Sequence, residues 1–117
     1  MPNNVIEVSD DDFRKKVLGV DKPVLAVFWA NWCYPCKSFM PVLERISDEY
    51  AGKILVVKID VDKYTEMAYK YNVLGIPTTL FIYQGGVLHN QLGAVPEPMF
   101  RYMLKSFLYA ITMKRLS

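Results

Sequence analysis

The chain holds two cysteines, Cys33 and Cys36, separated by Tyr34 and Pro35. Two sulfurs at this spacing can ligate a metal, attach a haem, or cycle between dithiol and disulfide. Structural zinc needs four ligands. The single histidine, His89, cannot complete that set within one chain, so a zinc site would have to be shared between two copies. Haem attachment needs a histidine directly after the second cysteine, and Lys37 stands there instead. A purely structural bridge would close a very short loop and constrain the unfolded chain little. Secreted scaffolds spread their cysteines to close long loops. Redox exchange is the chemistry that this pair fits, and no metal is expected.

Such a pair works only if its surroundings favour the thiolate, so the neighbouring elements matter. Pro23 opens a continuously apolar run from Val24 to Ala30, as expected of a strand buried on both faces. After Lys37, residues Phe39, Val42, Leu43, Ile46 and Tyr50 recur at helical spacing, Pro41 is expected to kink that helix, and Gly52 ends it. Cys33 therefore stands where a buried strand gives way to a helix N-terminus. Free N–H groups and the positive end of the macrodipole favour a thiolate there. Its pKa should fall below the free value of about 8.5. The thiolate is the form that attacks a disulfide. Cys36, one turn further on, can reach back and resolve the mixed disulfide.

The rest of the chain alternates. Val5 to Val8 reads as an edge strand. Ser9 and Asp12 read as the start of a helix carrying Phe13, Val17 and Leu18, which stops near Gly19. Residues 54–61 form a second apolar strand and 63–72 a weaker helix with Met67, Ala68 and Tyr71 on one face. Thr78 to Tyr83 and Val87 to Leu92 read as strands joined by a Gly85-Gly86 turn, and a last helix after Pro96 carries Phe100, Met103, Leu104, Phe107, Leu108 and Ile111. The order β-α-β-α-β-α-β-β-α implies an α/β fold, with a mixed central sheet flanked by helices on both faces.

Composition narrows the function. A length of 117 residues is room for one domain spanning residues 1–117, and 52% apolar types make it globular. A net charge of +2 is too mild for a nucleic-acid binder. The late basic residues Arg101, Lys105, Lys114 and Arg115 read as helix ends and solvated faces. No run approaches the ~18 apolar residues of a membrane span. The opening MPNNVIEVSDDDF resembles neither a signal nor a transit peptide, so a cytoplasmic location is expected; a monomer is the default for such a fold.

The segment Phe28-Trp29-Ala30-Asn31-Trp32-Cys33-Tyr34-Pro35-Cys36-Lys37 resembles the active-site segment of the thioredoxin family. The likeness continues through Pro41, Lys58 and Asp60, Gly75-Ile76-Pro77-Thr78, the Gly85-Gly86 turn and Gly93-Ala94. The resemblance implies a thioredoxin fold and a protein-disulfide reductase without a bound cofactor. Cys33 would be the nucleophile and Cys36 the resolving residue, supported by Trp29, Trp32, Tyr34, Pro35, Lys58 and Pro77. It further implies a cis peptide before Pro77, and a flat docking surface of Trp32, Gly75, Ile76, Pro77, Gly93 and Ala94 for protein disulfide substrates. A thioredoxin reductase would return the electrons. A disulfide oxidase or isomerase, or a redox-silent docking subunit, would use the same surface. Lys58 reads either as a snorkelling edge residue or as a proton-relay partner. His89 reads as an exposed residue of the hairpin, too far along its strand to be a base.

Two positions depart from the family pattern. Tyr34 stands where a glycine is usual. Val27 stands where the family buries an aspartate that, with a lysine matching Lys58, helps move the proton of the second cysteine. Without that carboxylate, resolution by Cys36 is expected to be slower and the fold more stable, since a buried carboxylate is costly. Val27→Asp should therefore raise the disulfide-exchange rate at neutral pH while lowering stability by roughly 2–4 kcal/mol. An unchanged exchange rate would refute the kinetic half of this argument.

Overall fold

Five strands form one mixed sheet in a computed structural model that describes residues 4–117. They are β1 (Val5–Glu7), β2 (Val24–Trp29), β3 (Leu55–Asp60), β4 (Thr78–Tyr83) and β5 (Gly86–Leu92), in the spatial order β1-β3-β2-β4-β5. The β1–β3 and β2–β3 pairs are parallel; β2–β4 and β4–β5 are antiparallel. The central strand β2 is buried along almost its whole length, which is why it reads as an unbroken apolar run. Strand alternation then sends Leu25 and Val27 to one face, and Val24, Ala26 and Phe28 to the other.

Helices α2 (Tyr34–Glu49) and α4 (Glu97–Leu116) cover the first face. Phe39 of α2 meets Phe100 of α4 edge-on at 5.0 Å, and Phe81 of β4 packs on Phe100 and Phe107 at 5.6 and 5.3 Å. Outside this aromatic core Arg101 holds Glu49 and Glu97, and Arg45 also reaches Glu97. Arg101 is thus part of a helix-bridging ion network, and Arg115 of α4 donates to Tyr83 Oη at 2.7 Å. The second face is covered by α1 (Asp10–Asp12), which continues as a π-helical turn over Phe13–Val17, and by α3 (Glu66–Lys70).

Three elements differ from the sequence expectation. The first helix closes with Leu18 N–H on Phe13 O, an i→i+5 bond. The four-residue step from Phe13 to Val17 suits an α-turn or a π-turn alike, so patterning could not separate them. Helix α3 is shorter than 63–72. Lys63 and Tyr64 bond back to Asp60 O in a turn, and the helix starts where the Asp10 carboxylate accepts from Glu66 and Met67 N–H at 3.2 and 2.9 Å. Its cap thus comes from a distant part of the chain. The hairpin turn is centred on Gln84-Gly85, with φ of 51° and 79°, and Gly86 already belongs to β5. Two positive φ values match the twist of the flanking strands. Helix α2 runs unbroken through Pro41.

Phe81 is fully buried between the sheet and α4. Phe81→Ala is expected to cost about 3–5 kcal/mol, read as a lowered urea midpoint with an unchanged m-value. A loss below about 1 kcal/mol would mean that this aromatic stack is not the centre of the core.

Candidate active site at the start of the second helix

Strand β2 delivers the chain to the active-site end of the sheet at Trp29 and the buried Ala30. A turn closed by Cys33 N–H on Ala30 O at 3.2 Å then reverses it into α2. Cys33 is the N-cap of that helix, with extended backbone, and the N–H of Cys36 donates to Cys33 Sγ at 3.3 Å. Cap residues normally accept through oxygen; here a sulfur takes that place. Pro35 sits in the first turn, where its missing N–H leaves no bond unmade. Cys33 and Cys36 are joined as a disulfide with Cα atoms 5.3 Å apart. After reduction, the same N–H and the dipole of this 16-residue helix act on the Cys33 sulfur and favour its thiolate.

Both cysteines are nearly buried: Cys33 is 4% exposed and Cys36 1%. The two sulfurs lie in a small apolar cluster with Ala30, packed by Trp29, Val61 and Ile76. The Cys33 sulfur is recessed beneath a rim rather than raised above the surface.

The rim comes from three loops. Ile76-Pro77 is a cis peptide, and Ile76 O lies 3.8 Å from Cys33 Sγ. Thr78 Oγ1 donates to Gly75 O at 2.6 Å, which folds this loop onto the head of β4. Gly93 N–H donates to Pro77 O at 2.7 Å, tying the exit of β5 to the same loop. Gly93 has φ of +93°, a conformation that a side chain would strain. Gly75, Ile76, Pro77, Gly93 and its exposed neighbour Ala94 are thereby brought together beside the disulfide. Trp32 and Tyr34 complete the rim at 69% and 78% exposure.

Two residues that the sequence did not single out join this surface. Leu74 is 84% exposed and Leu92 is 58% exposed, and both line a groove of about 260 Å³ with Asn72, Val73, Thr78 and Asn90. A leucine reads as core by type; the packing around Leu74 in its loop and Leu92 at the end of β5 shows that both face out.

Behind the sulfurs, Val27 is fully buried and pairs with Lys58 on β3 and Thr79 on β4. Lys58 is not an edge residue, because β3 lies between β1 and β2. Its Nζ sits over the Trp29 ring, 4.8 Å from the centroid, a cation–π contact that also supports the indole beside the cysteines. Asp60, two residues further along β3, is buried and accepts from Asp62 N–H at 2.9 Å. His89 is exposed on β5, where its ring packs on Phe81 at 5.3 Å, and the structure does not bring it to the cysteines.

Comparison with known proteins agrees with this geometry. The thioredoxin family model matches residues 4–106. The chain belongs to the thioredoxin family. It is 45% identical to Thioredoxin C-2 of Corynebacterium nephridii over 97 residues, covering 83% of this chain and 90% of that protein. It is 40% identical to the thioredoxin of Acidithiobacillus ferridurans over 106 residues, covering 91% and 98%. The Cys33–Cys36 pair is the redox pair of a thiol–disulfide oxidoreductase of this family, and its chemistry is dithiol–disulfide exchange. Among the described residues no helix is long and apolar enough to cross a membrane.

The cap geometry makes a direct prediction. In the reduced protein at neutral pH, a limiting amount of iodoacetamide should label Cys33 at least about tenfold faster than Cys36, with a midpoint below the free-thiol value of about 8.5. Peptide mass spectrometry reads the site. Equal labelling would show that the helix cap does not select the nucleophile.

Proposed function

We propose that this protein is a protein-disulfide reductase in which Cys33 attacks and Cys36 resolves. The observation that carries this reading is the Cys33 sulfur, held by a helix N–H at the centre of an exposed apolar rim. The Cys33 thiolate attacks one sulfur of a substrate disulfide. A mixed disulfide forms and the other substrate sulfur leaves as a thiolate. Cys36 then attacks Cys33, the second substrate thiol is released, and the protein is left with the Cys33–Cys36 disulfide. Two electrons have passed to the substrate. A thioredoxin reductase returns them, and no bound cofactor is needed for the exchange itself.

Trp32, Tyr34, Gly75, Ile76, Pro77, Gly93 and Ala94 form the docking surface in this reading, with Trp29, Pro35 and Lys58 in support. A rim with few charges suits many extended partner segments, bound through backbone as much as through side chains. The partners are proteins with accessible disulfides, and nucleic acid and membranes play no part. We place the protein in the cytoplasm as a monomeric single domain, since a reducing compartment keeps the dithiol charged.

The reduction potential tests the direction of transfer. Equilibration in thiol–disulfide buffers, followed by Trp29 and Trp32 fluorescence and mass spectrometry, should give a value near −270 mV, roughly that of a reductant of this family. A value near or above about −180 mV would assign it to oxidation or isomerisation instead. A Cys36→Ser variant should accumulate mixed disulfides with protein partners in a lysate. No reversible two-electron change and no trapped partner would leave a docking subunit.

A further inference from the structure

Among the described residues, two buried side-chain polar atoms have no protein hydrogen-bond partner: Trp29 Nε1 and Thr79 Oγ1. Thr79 is the more telling, because the whole residue is 1% exposed. Its strand, Thr78-Thr79-Leu80-Phe81-Ile82-Tyr83, is buried throughout. Valine has the same shape and would fill this place without burying an unmet hydroxyl, which is costly. Thr78, its neighbour, uses its hydroxyl to bond Gly75 O. Thr79 uses its own for nothing within the chain's own groups.

The sheet register shows where this hydroxyl lies. Thr79 pairs with Val27, which in turn pairs with Lys58. Phe81, two residues on and on the same face, pairs with Leu25 and packs on Phe100, which stacks on Phe39 of α2. The row containing Thr79 and Val27 is one step nearer the end at which β2 passes into α2. Cys36 is likewise almost one helical turn nearer that end than Phe39. Trp29, on the same face and one step further, already packs against the cluster of Ala30, Cys33 and Cys36. Thr79 thus lies on the sheet floor beneath the first turn of α2, beside the fully buried Val27.

We propose that the Thr79 hydroxyl is a positioning residue for Cys36, holding one water against the Cys36 sulfur in the dithiol state. This inference rests on the reductase reading of the site. During resolution the Cys36 S–H loses its proton through that water to bulk solvent. The Cys36 sulfur then bonds to Cys33, the Cys33–substrate bond breaks, and the substrate sulfur leaves as a thiolate. The dithiol is oxidised and the substrate reduced, with no further reactant. Thr79 remains a hydroxyl throughout: it orients the water and donates to it as negative charge grows on sulfur. The charged groups facing this region are Lys58 and Asp60 on β3. Cys33 faces it from α2, and His89 lies one row away on β5 against Phe81. On α4 the nearest charges, Glu97 and Arg101, are held in the ion network with Arg45 and Glu49.

The test is thiolate absorbance at 240 nm in a Cys33→Ser background, where Cys36 is the sole thiol. Thr79→Val should move the Cys36 titration midpoint upward by about one unit, and Thr79→Ser should leave it in place. In the two-cysteine protein, Thr79→Val should slow reduction of insulin about tenfold at pH 7, with the gap closing above the Cys36 midpoint. Thr79→Ala gives the same readings should valine disturb the strand. An unmoved midpoint in both Val and Ala variants overturns the proposal, as does a serine variant that shifts with them, which would mark packing rather than the hydroxyl. If the wild-type protein reduces no disulfide protein, the reductase reading falls, and the Cys36 titration still decides what Thr79 does.

Discussion

A sulfur that caps a helix is the contact on which the site turns. Cys33 occupies the N-cap of α2, and the N–H of Cys36 points at its sulfur from 3.3 Å. That one contact stabilises the helix start and places the sulfur at the positive end of the helix dipole. Structure and reactivity therefore share a single hydrogen bond. The cap has to be fixed in space to be of use, and the rest of the fold supplies that fixity. Strand β2 is paired on both sides, so the turn it feeds cannot drift. The aromatic packing of Phe39, Phe81, Phe100 and Phe107 holds α2 and α4 to the sheet.

The rim is built by a different principle. Its members come from loops far apart in the chain, and backbone hydrogen bonds join them: Gly93 N–H to Pro77 O, and Thr78 Oγ1 to Gly75 O. Apolar side chains are left facing solvent around a recessed sulfur. A free surface of that kind is unusual in a small domain unless something docks there. The recess has a chemical consequence. In the proposed reading, a protein disulfide could use the rim where a small thiol reagent could not, and specificity would come from access and from backbone pairing more than from charge.

Beneath the cysteines, the floor departs from the family pattern in a way that links stability to rate. Val27 replaces a buried carboxylate with an aliphatic side chain, and the core closes over it. The charge that remains nearby, on Lys58, rests on the face of Trp29. Among the described residues, the buried side-chain polar atoms without a partner here are an indole N–H and a hydroxyl, neither of which can be a base at neutral pH, while Asp60 on the same face is buried as well.

Much of this was legible in the chain itself. The unbroken apolar run of β2, the helical spacing after Lys37 and the Cys33–Cys36 pair between them are local signals, so strand, helix and redox pair could be read directly. That Gly75, Ile76 and Pro77 lie beside Gly93 and Ala94 was legible only through resemblance, because nothing local says that residues 75–77 and 93–94 meet. Element boundaries failed where a distant group decides them, as the Asp10 cap does for α3. They failed also where two geometries share one spacing, as at Phe13 and Val17. Side-chain exposure at Leu74 and Leu92, the place of Lys58 over Trp29, and the orphan hydroxyl of Thr79 came from the tertiary structure alone. The physical reason is the same in each case. Residue type and periodicity record what a segment buries on its own, whereas pairing register and loop-to-loop hydrogen bonds are properties of segments brought together.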